Sequence, residues 1–265
     1  MHSLYQNILD GNARFGTGPR ELAQGVLECS PEEIRTTVIL APVWEPERTF
    51  GLKAEPLTEG CVRVWQVELD GKPATWIVPG IGAPTNMDVV LALGATSCKR
   101  ILFIGSAGAL DEKMELGDIV LPEKSICGDG ASRYLQKDLA ADPFAQAAYP
   151  DGTLLAQAEA VCKKYCAQYG AALHRAVNFS IDTIAAQFAH MDEILALGCG
   201  TIEMETAACF RAAELCGIPI AAIFGISDST VRRKSLYSGR TEEEKRRRRE
   251  IRSEVFPRVL GGLIL

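Results

Sequence analysis

Thr201-Ile202-Glu203-Met204-Glu205-Thr206-Ala207-Ala208 runs from a short apolar stretch into a series of small and apolar residues, with two carboxylates at the junction. Gly200 to Met204 has the length of a strand, and Thr206 to Cys216 (TAACFRAAELC) reads as a mostly buried helix. A strand feeding directly into a helix is the repeating unit of an α/β fold. Carboxylates at such a join need partners, because burying one unpaired is costly. Two chemistries would satisfy them. Acids at a helix N-terminus interact favourably with its exposed N–H groups. A carboxylate pair also accepts two neighbouring hydroxyls, such as the 2′ and 3′ hydroxyls of a ribose. The motif alone leaves both open.

The alternation of strands and helices extends in both directions. Thr36 to Leu40 (TTVIL) is a β-branched run ending at Ala41-Pro42, which predicts a buried strand and a loop. Cys61 to Leu69 (CVRVWQVEL) alternates and stops at Asp70-Gly71, and Ala74 to Val78 (ATWIV) supplies the partner strand of a hairpin. Pro79 to Pro84 is a tight loop before a helix over Thr85 to Leu93. Arg100 to Ile104 (RILFI) is a strand opening into a Gly105-Ser106-Ala107-Gly108 loop, and Asp118 to Leu121 is a strand stopped by Pro122. Further on come a long helix over Gly152 to Tyr169, a strand over Ala176 to Ser180 and a short helix over Asp192 to Leu197. Ile218 to Ile226 is an apolar strand ending at Ser227-Asp228. Residues 1–30 read as a polar, partly helical extension to one domain spanning 31–265. Glu242, Glu243 and Glu244 each stand four residues before Arg246, Arg247 and Arg248, the order of a solvated helix laced by ion pairs. A phosphate- or RNA-binding patch is the weaker reading of that segment.

Bulk properties exclude several classes. With 265 residues and no Gly/Ser- or Pro-rich divide, a single domain is expected, and 47% apolar residues support a sizeable core. A net charge of −6 argues against broad binding to nucleic acid. No apolar run is long enough for a bilayer, and the N-terminus lacks the layout of a secretory signal, so a cytoplasmic protein without membrane attachment is expected. The nine cysteines include no Cys-x-x-Cys pair, and with three histidines a metal site is not expected. Cys162 and Cys166 share one helix face and read, like the rest, as buried free thiols.

Four segments following apolar strands gather the polar chemistry: Gly105 to Gly108, Ser180 to Thr183, Glu203 to Glu205, and Ser227-Asp228. Ligand sites of open α/β sheets lie at such strand ends. The segments hold hydroxyls, small residues and carboxylates. None of His2, His174 or His190 stands in a catalytic context, and Gly105 to Gly108 lacks dinucleotide-binding spacing.

The order GSAGAL, GDIVLP, DGAS, S-x-D-T, E-M-E, ISD resembles the superfamily of purine nucleoside and uridine phosphorylases and methylthioadenosine/S-adenosylhomocysteine nucleosidases, over residues 36–260. The resemblance implies a three-layer αβα domain with a central mixed, twisted, partly barrel-like sheet. It implies cleavage of the N-glycosidic bond of a nucleoside, without metal or organic cofactor, by a homodimer or higher homo-oligomer. It gives Glu205, with Glu203 and Met204, the ribose. Asp228, preceded by Ser227, becomes the acid that protonates a departing purine. Ser106, with Ala107 and Gly108, lies near the phosphate or nucleophilic water, and Ile184 lies where many relatives place an aromatic against the base. Arg48 matches an arginine of the phosphate loop.

The chemistry suits these residue types. Cleavage passes through an oxocarbenium-like sugar, which a carboxylate on the hydroxyls helps to stabilise. An acid with a raised pKa makes the base a better leaving group.

The departures fall in the phosphate site. Trp44 stands near a glycine of the family's first loop, Phe103 replaces an arginine before GSAG, and Gly60 aligns near an arginine given across the dimer, with Arg63 close by. His2 lies too far upstream to match the family's N-terminal histidine. A phosphate dianion needs charge-assisted donors. The expectation therefore leans to water as acceptor, with Glu47 or Glu45 as general base. Phosphate held by Arg48 with Arg63, Arg232 or Arg233 is the alternative. A nucleoside-binding protein without turnover is a third reading, and the purine is the favoured base.

Overall fold

Ten strands form one mixed sheet that partly closes on itself in the computed structural model, which describes residues 3–265. The strands are β1 (Thr37–Leu40), β2 (Ala54–Glu59), β3 (Arg63–Leu69), β4 (Lys72–Val78), β5 (Arg100–Ala109), β6 (Ile119–Gly128), β7 (Ala147–Ala148), β8 (Leu173–Ile181), β9 (Thr201–Glu203) and β10 (Ile220–Ser229). The helices are α1 (Ser3–Arg14), α2 (Pro19–Leu27), α3 (Pro46–Phe50), α4 (Ala83–Leu93), α5 (Gly152–Tyr169), α6 (Met191–Ala196), α7 (Thr206–Cys216) and α8 (Glu242–Leu263). β10 pairs with both β5 and β6, so β5, β10, β6, β8 and β9 close into a ring. β1, β4, β3 and β2 extend from β5 as an open wing.

Two apolar layers flank the sheet. On one face Val89, Val90 and Leu93 of α4 and Ala207, Ala208 and Phe210 of α7 pack against Val38, Ile101 and Phe103. On the other, Leu154 and Ala158 of α5 and Val255, Val259 and Leu260 of α8 cover Ile39, Leu102 and Ile223. The result is the αβα sandwich. Cys162 and Cys166 both lie in the second layer, and burial pushes the Cys166 thiol up to about 11. Residues 3–27 are more than a polar lead-in: Tyr5, Leu9, Ala23 and Leu27 are buried in the first layer, and the Tyr5 hydroxyl donates to the Leu91 carbonyl at 2.9 Å.

The β3–β4 hairpin turns at Asp70 (φ 53°) and Gly71 (φ 74°), left-handed at both positions, the turn whose twist suits a two-residue connection. Several expected boundaries move. β2 was not expected; it is an edge strand that accommodates Pro56 beside a register shift. Pro122 does not stop β6, because a bulge between Pro122 and Lys124 absorbs it and pairing with β8 continues to Gly128. Gly105 to Gly108, Ser180 and Ser227-Asp228 are not loops but the far ends of β5, β8 and β10. Ring closure holds them extended: Gly108 pairs with Ile202 on one side and Asp228 on the other.

The C-terminal helix forms behind a capping box between Thr241 and Glu244. Its expected Glu-to-Arg pairs do not. Glu242 pairs with Lys245 and Glu244 with Lys234, while Arg246 pairs with Glu250 and Arg247 with Glu115 and Asp118. Among the described residues no helix is long and apolar enough to cross a membrane, and no cluster of three or more His, Cys, Asp or Glu could hold a metal. His2 lies outside the described residues.

Candidate active site

A cavity of about 170 Å³ opens at the carboxyl ends of β1, β5, β8, β9 and β10. It brings together Ser106, Gly108, Ile184, Glu203, Met204, Glu205, Ser227 and Asp228, which the sequence singled out from four separate segments. Ala107 is a neighbour rather than a wall: it is buried in the first apolar layer, and its carbonyl accepts the Ser227 hydroxyl at 3.3 Å. Glu47 and Arg48 lie exposed on α3, outside the lining.

The two glutamates have different surroundings. Glu203, on β9, accepts from the Asn178 amide (2.7 Å), the Ser180 and Thr206 hydroxyls, and the backbone N–H groups of Glu205 (2.8 Å) and Thr206 (2.9 Å). It therefore closes the start of α7 and ties it to β8. Glu205 accepts one such bond, from the Gly82 N–H at 2.8 Å to Oε1. With fewer donors than Glu203, it keeps acceptor capacity at the cavity wall. Burial pushes both carboxyls up. The donors around Glu203 oppose the rise there, while Glu205, facing burial first and the Glu203 charge second, goes to about 8.

Asp228 owes its direction to a bulge. Gly225 pairs with Ser106 and Ile226 with Ala107, but the next pair is Asp228 with Gly108. The extra residue, Ser227, puts Asp228 on the face of Ser106 and Gly225 instead of the apolar face of Phe224 and Ile226. A Cβ on Gly108 would stand 3.2 Å from Asp228 Oδ2 and 3.2 Å from Ile202, so the glycine leaves the acid its space. The Ser227 hydroxyl donates to Oδ1 at 2.6 Å. Burial raises the Asp228 pKa against the opposing pull of that hydroxyl, Arg240 and Arg248. Arg240 donates to the Ser227 carbonyl at 3.2 Å and to Leu236, which also lines the cavity.

Phe103, Pro42, Val43, Ile81, Ile181, Ile202 and Leu236 make the remaining walls apolar, except for Gln187. Gln187 is buried and offers a donor and an acceptor on one amide. A lone glutamine in an alanine-rich stretch carries no sequence signal. Of the other arginines expected at phosphate, Arg63 pairs with Glu45, Arg232 donates to the Glu112 carbonyl and pairs with Glu115, and Arg233 is exposed outside the lining. Trp44 is buried between Phe50 and Phe256, with its carbonyl accepting from Trp76 Nε1 at 2.7 Å.

Residues 46–260 match the family model described as the Phosphorylase superfamily. The chain is 27% identical over 177 residues to uridine phosphorylase of Klebsiella aerogenes, a match covering 61% of this chain and 66% of that protein. A shorter stretch of 68 residues is 37% identical to uridine phosphorylase of Escherichia coli strain K12, covering 26% of this chain and 27% of that one. Among solved structures, uridine phosphorylase from Vibrio fischeri ES114 superposes with a TM-score of 0.72 at 21% identity, over 89% of this chain and 94% of that one. Purine nucleoside phosphorylase from Toxoplasma gondii, in complex with immucillin-H, gives 0.70 at 17% identity over the same shares. At these identities the two structures establish the fold alone.

Proposed function

The chain belongs to the phosphorylase superfamily, and from that membership and the cavity we propose that it cleaves the N-glycosidic bond of a nucleoside, with a purine as the departing base. The observation that carries the reading is that Glu205 and Asp228, from separate elements, face one cavity in which both are shifted toward holding protons. Glu205 takes the sugar hydroxyls and Met204 packs against the ring. The bond between C1′ and the base breaks with its electron pair going to the base, and Asp228 delivers the proton that neutralises that charge at N7. The sugar carries positive charge until the acceptor adds at C1′; water would give its proton to a base at that position, a phosphate dianion need lose none, and Asp228 is reprotonated from solvent. Gln187 supplies paired donor and acceptor atoms for a heterocycle edge.

Water as the acceptor needs a base beside Ser106, and Glu47 is too exposed on α3 to be one. Transfer to phosphate is the second reading. It is favoured by two arginines of α8 that line a chamber reaching Ser106. The test is release of free base and reducing sugar from a panel of nucleosides, with and without phosphate. Release of purine bases is expected. Release of none, under either condition, leaves only the nucleoside-binding reading, and release of uracil alone overturns the assignment of a purine to Asp228.

A further inference from the structure

A second chamber, of about 140 Å³, lies between the sheet and α8 and is walled by Trp44, Ser106, Ile119, Arg248, Arg252 and Phe256. That is far more than the ~10–15 Å³ one water needs. Ser106 borders this chamber and the sugar cavity alike. Arg248 and Arg252 stand four residues apart on α8 and share a face. Neither guanidinium makes a hydrogen bond or an ion pair with any described residue, and the Nε of each is buried without a partner.

The surroundings give fewer acids than cations. Glu244, one turn before Arg248, is held by Thr241 and Lys234. Asp228 is the acid that acts on Arg248, while Arg240 and Arg252 repel it. Arg252 sits over the Trp44 ring at 5.5 Å, which orients its plane without neutralising it. Burial and mutual repulsion lower the pKa of Arg248, and burial and Arg249 that of Arg252. Two half-buried like charges against apolar walls are unfavourable unless something of opposite sign enters between them. Guanidinium forks match the oxygens of a phosphoryl group, and low-dielectric walls strengthen the attraction.

We propose that this chamber is a phosphoryl-binding site built by Arg248 and Arg252 of α8, opening onto the sugar cavity at Ser106. The phosphoryl group is either free inorganic phosphate or one carried on a nucleoside substrate. Its link to glycosidic cleavage rests on the reading of the preceding subsection, whereas binding itself does not.

Calorimetric titration of the full chain with inorganic phosphate, with a nucleoside, and with the corresponding nucleoside monophosphate, at constant ionic strength, tests it. Wild type is expected to bind inorganic phosphate, or to bind the monophosphate more tightly than the nucleoside. The first outcome identifies free phosphate as the occupant and the second a phosphoryl group on the substrate. Arg248→Gln or Arg252→Gln weakens that binding by about tenfold or more, the Lys variants weaken it less, and exposed Arg249→Gln leaves it unchanged. A measurement free of folding effects uses wild type alone: phosphate or monophosphate slows phenylglyoxal modification at Arg248 and Arg252, read by peptide mass, and not at exposed Arg246 or Arg249. No binding of either phosphoryl compound at millimolar concentration, or equal binding by folded Gln variants, overturns the site. Nucleoside cleavage that persists beside that result leaves the proposed function standing, and phosphate binding without cleavage does the reverse.

Discussion

Glu203 Oε2 accepts the backbone N–H of Glu205 at 2.8 Å, so one carboxylate of the pair positions the other. The next N–H, of Thr206, reaches the same oxygen at 2.9 Å. The strand-to-helix turn is thus closed by an acid that is already saturated with donors. Glu205 is turned toward the cavity with one oxygen engaged by Gly82. Of the two chemistries that the motif left open, the one at the helix start falls to Glu203, and Glu205 is left at the cavity wall.

Removing Glu203 therefore tests architecture. Glu203→Ala leaves Asn178, Ser180, Thr206 and two backbone N–H groups facing a void. Each buried donor left unsatisfied costs about 1–3 kcal/mol. A urea unfolding curve should move to a markedly lower midpoint, and an unmoved midpoint would show that the network contributes little.

Glu205 tests titration. Its folded pKa of about 8 lies above the ordinary value of 4.5. Between those values the folded chain binds more protons at this site than the unfolded chain, so stability falls as pH rises through the window. Glu205→Gln has no such loss. The melting temperature of the variant relative to wild type should climb between pH 5 and pH 8, by at least about 2 °C. A difference that stays flat across that range would mean Glu205 is ionised throughout.

The order of elements and the segments that meet at the cavity were legible because apolar runs and turn residues report burial directly. Thr206 to Cys216 and Gly152 to Tyr169 form helices at the expected bounds. Strand ends were not legible. Gly105-Ser106-Ala107-Gly108 has loop composition, yet closure of the ring draws it into β5. The bulge at Ser227 has no local signature either, since it arises from the register between β10 and β5. Arg248 looked like its neighbours in a charged run. Only the packing of α8 against Trp44 and Gly117 turns it inward, where a Cβ on Gly117 would lie 3.3 Å from the Arg248 Cα.

Asp228→Asn separates acid catalysis from binding. Asn fills the same space and cannot deliver the proton. Turnover of purine nucleosides should fall by about 10²- to 10⁴-fold with little change in their affinity. A riboside whose leaving group departs as a stable anion, such as 4-nitrophenyl riboside, needs no proton and should lose far less. Equal losses on both substrates would mean that Asp228 positions the ligand rather than protonating it.

The N-terminal helices supply the last test, because Tyr5 reaches the end of α4, the helix that begins next to Gly82, the donor to Glu205. Its ring is buried and its hydroxyl donates to the Leu91 carbonyl at 2.9 Å. Tyr5→Phe removes that donor and leaves the Leu91 carbonyl with the Gly94 N–H at 3.2 Å, at a cost of about 1 kcal/mol. Deleting residues 1–27 costs more, since it also uncovers the apolar face on which Leu9, Ala23 and Leu27 pack. Both should lower the denaturation midpoint in that order. A truncated chain as stable as the full one would make α1 and α2 an appendage, with the Gly82–Glu205 contact held by α4 and α7 alone.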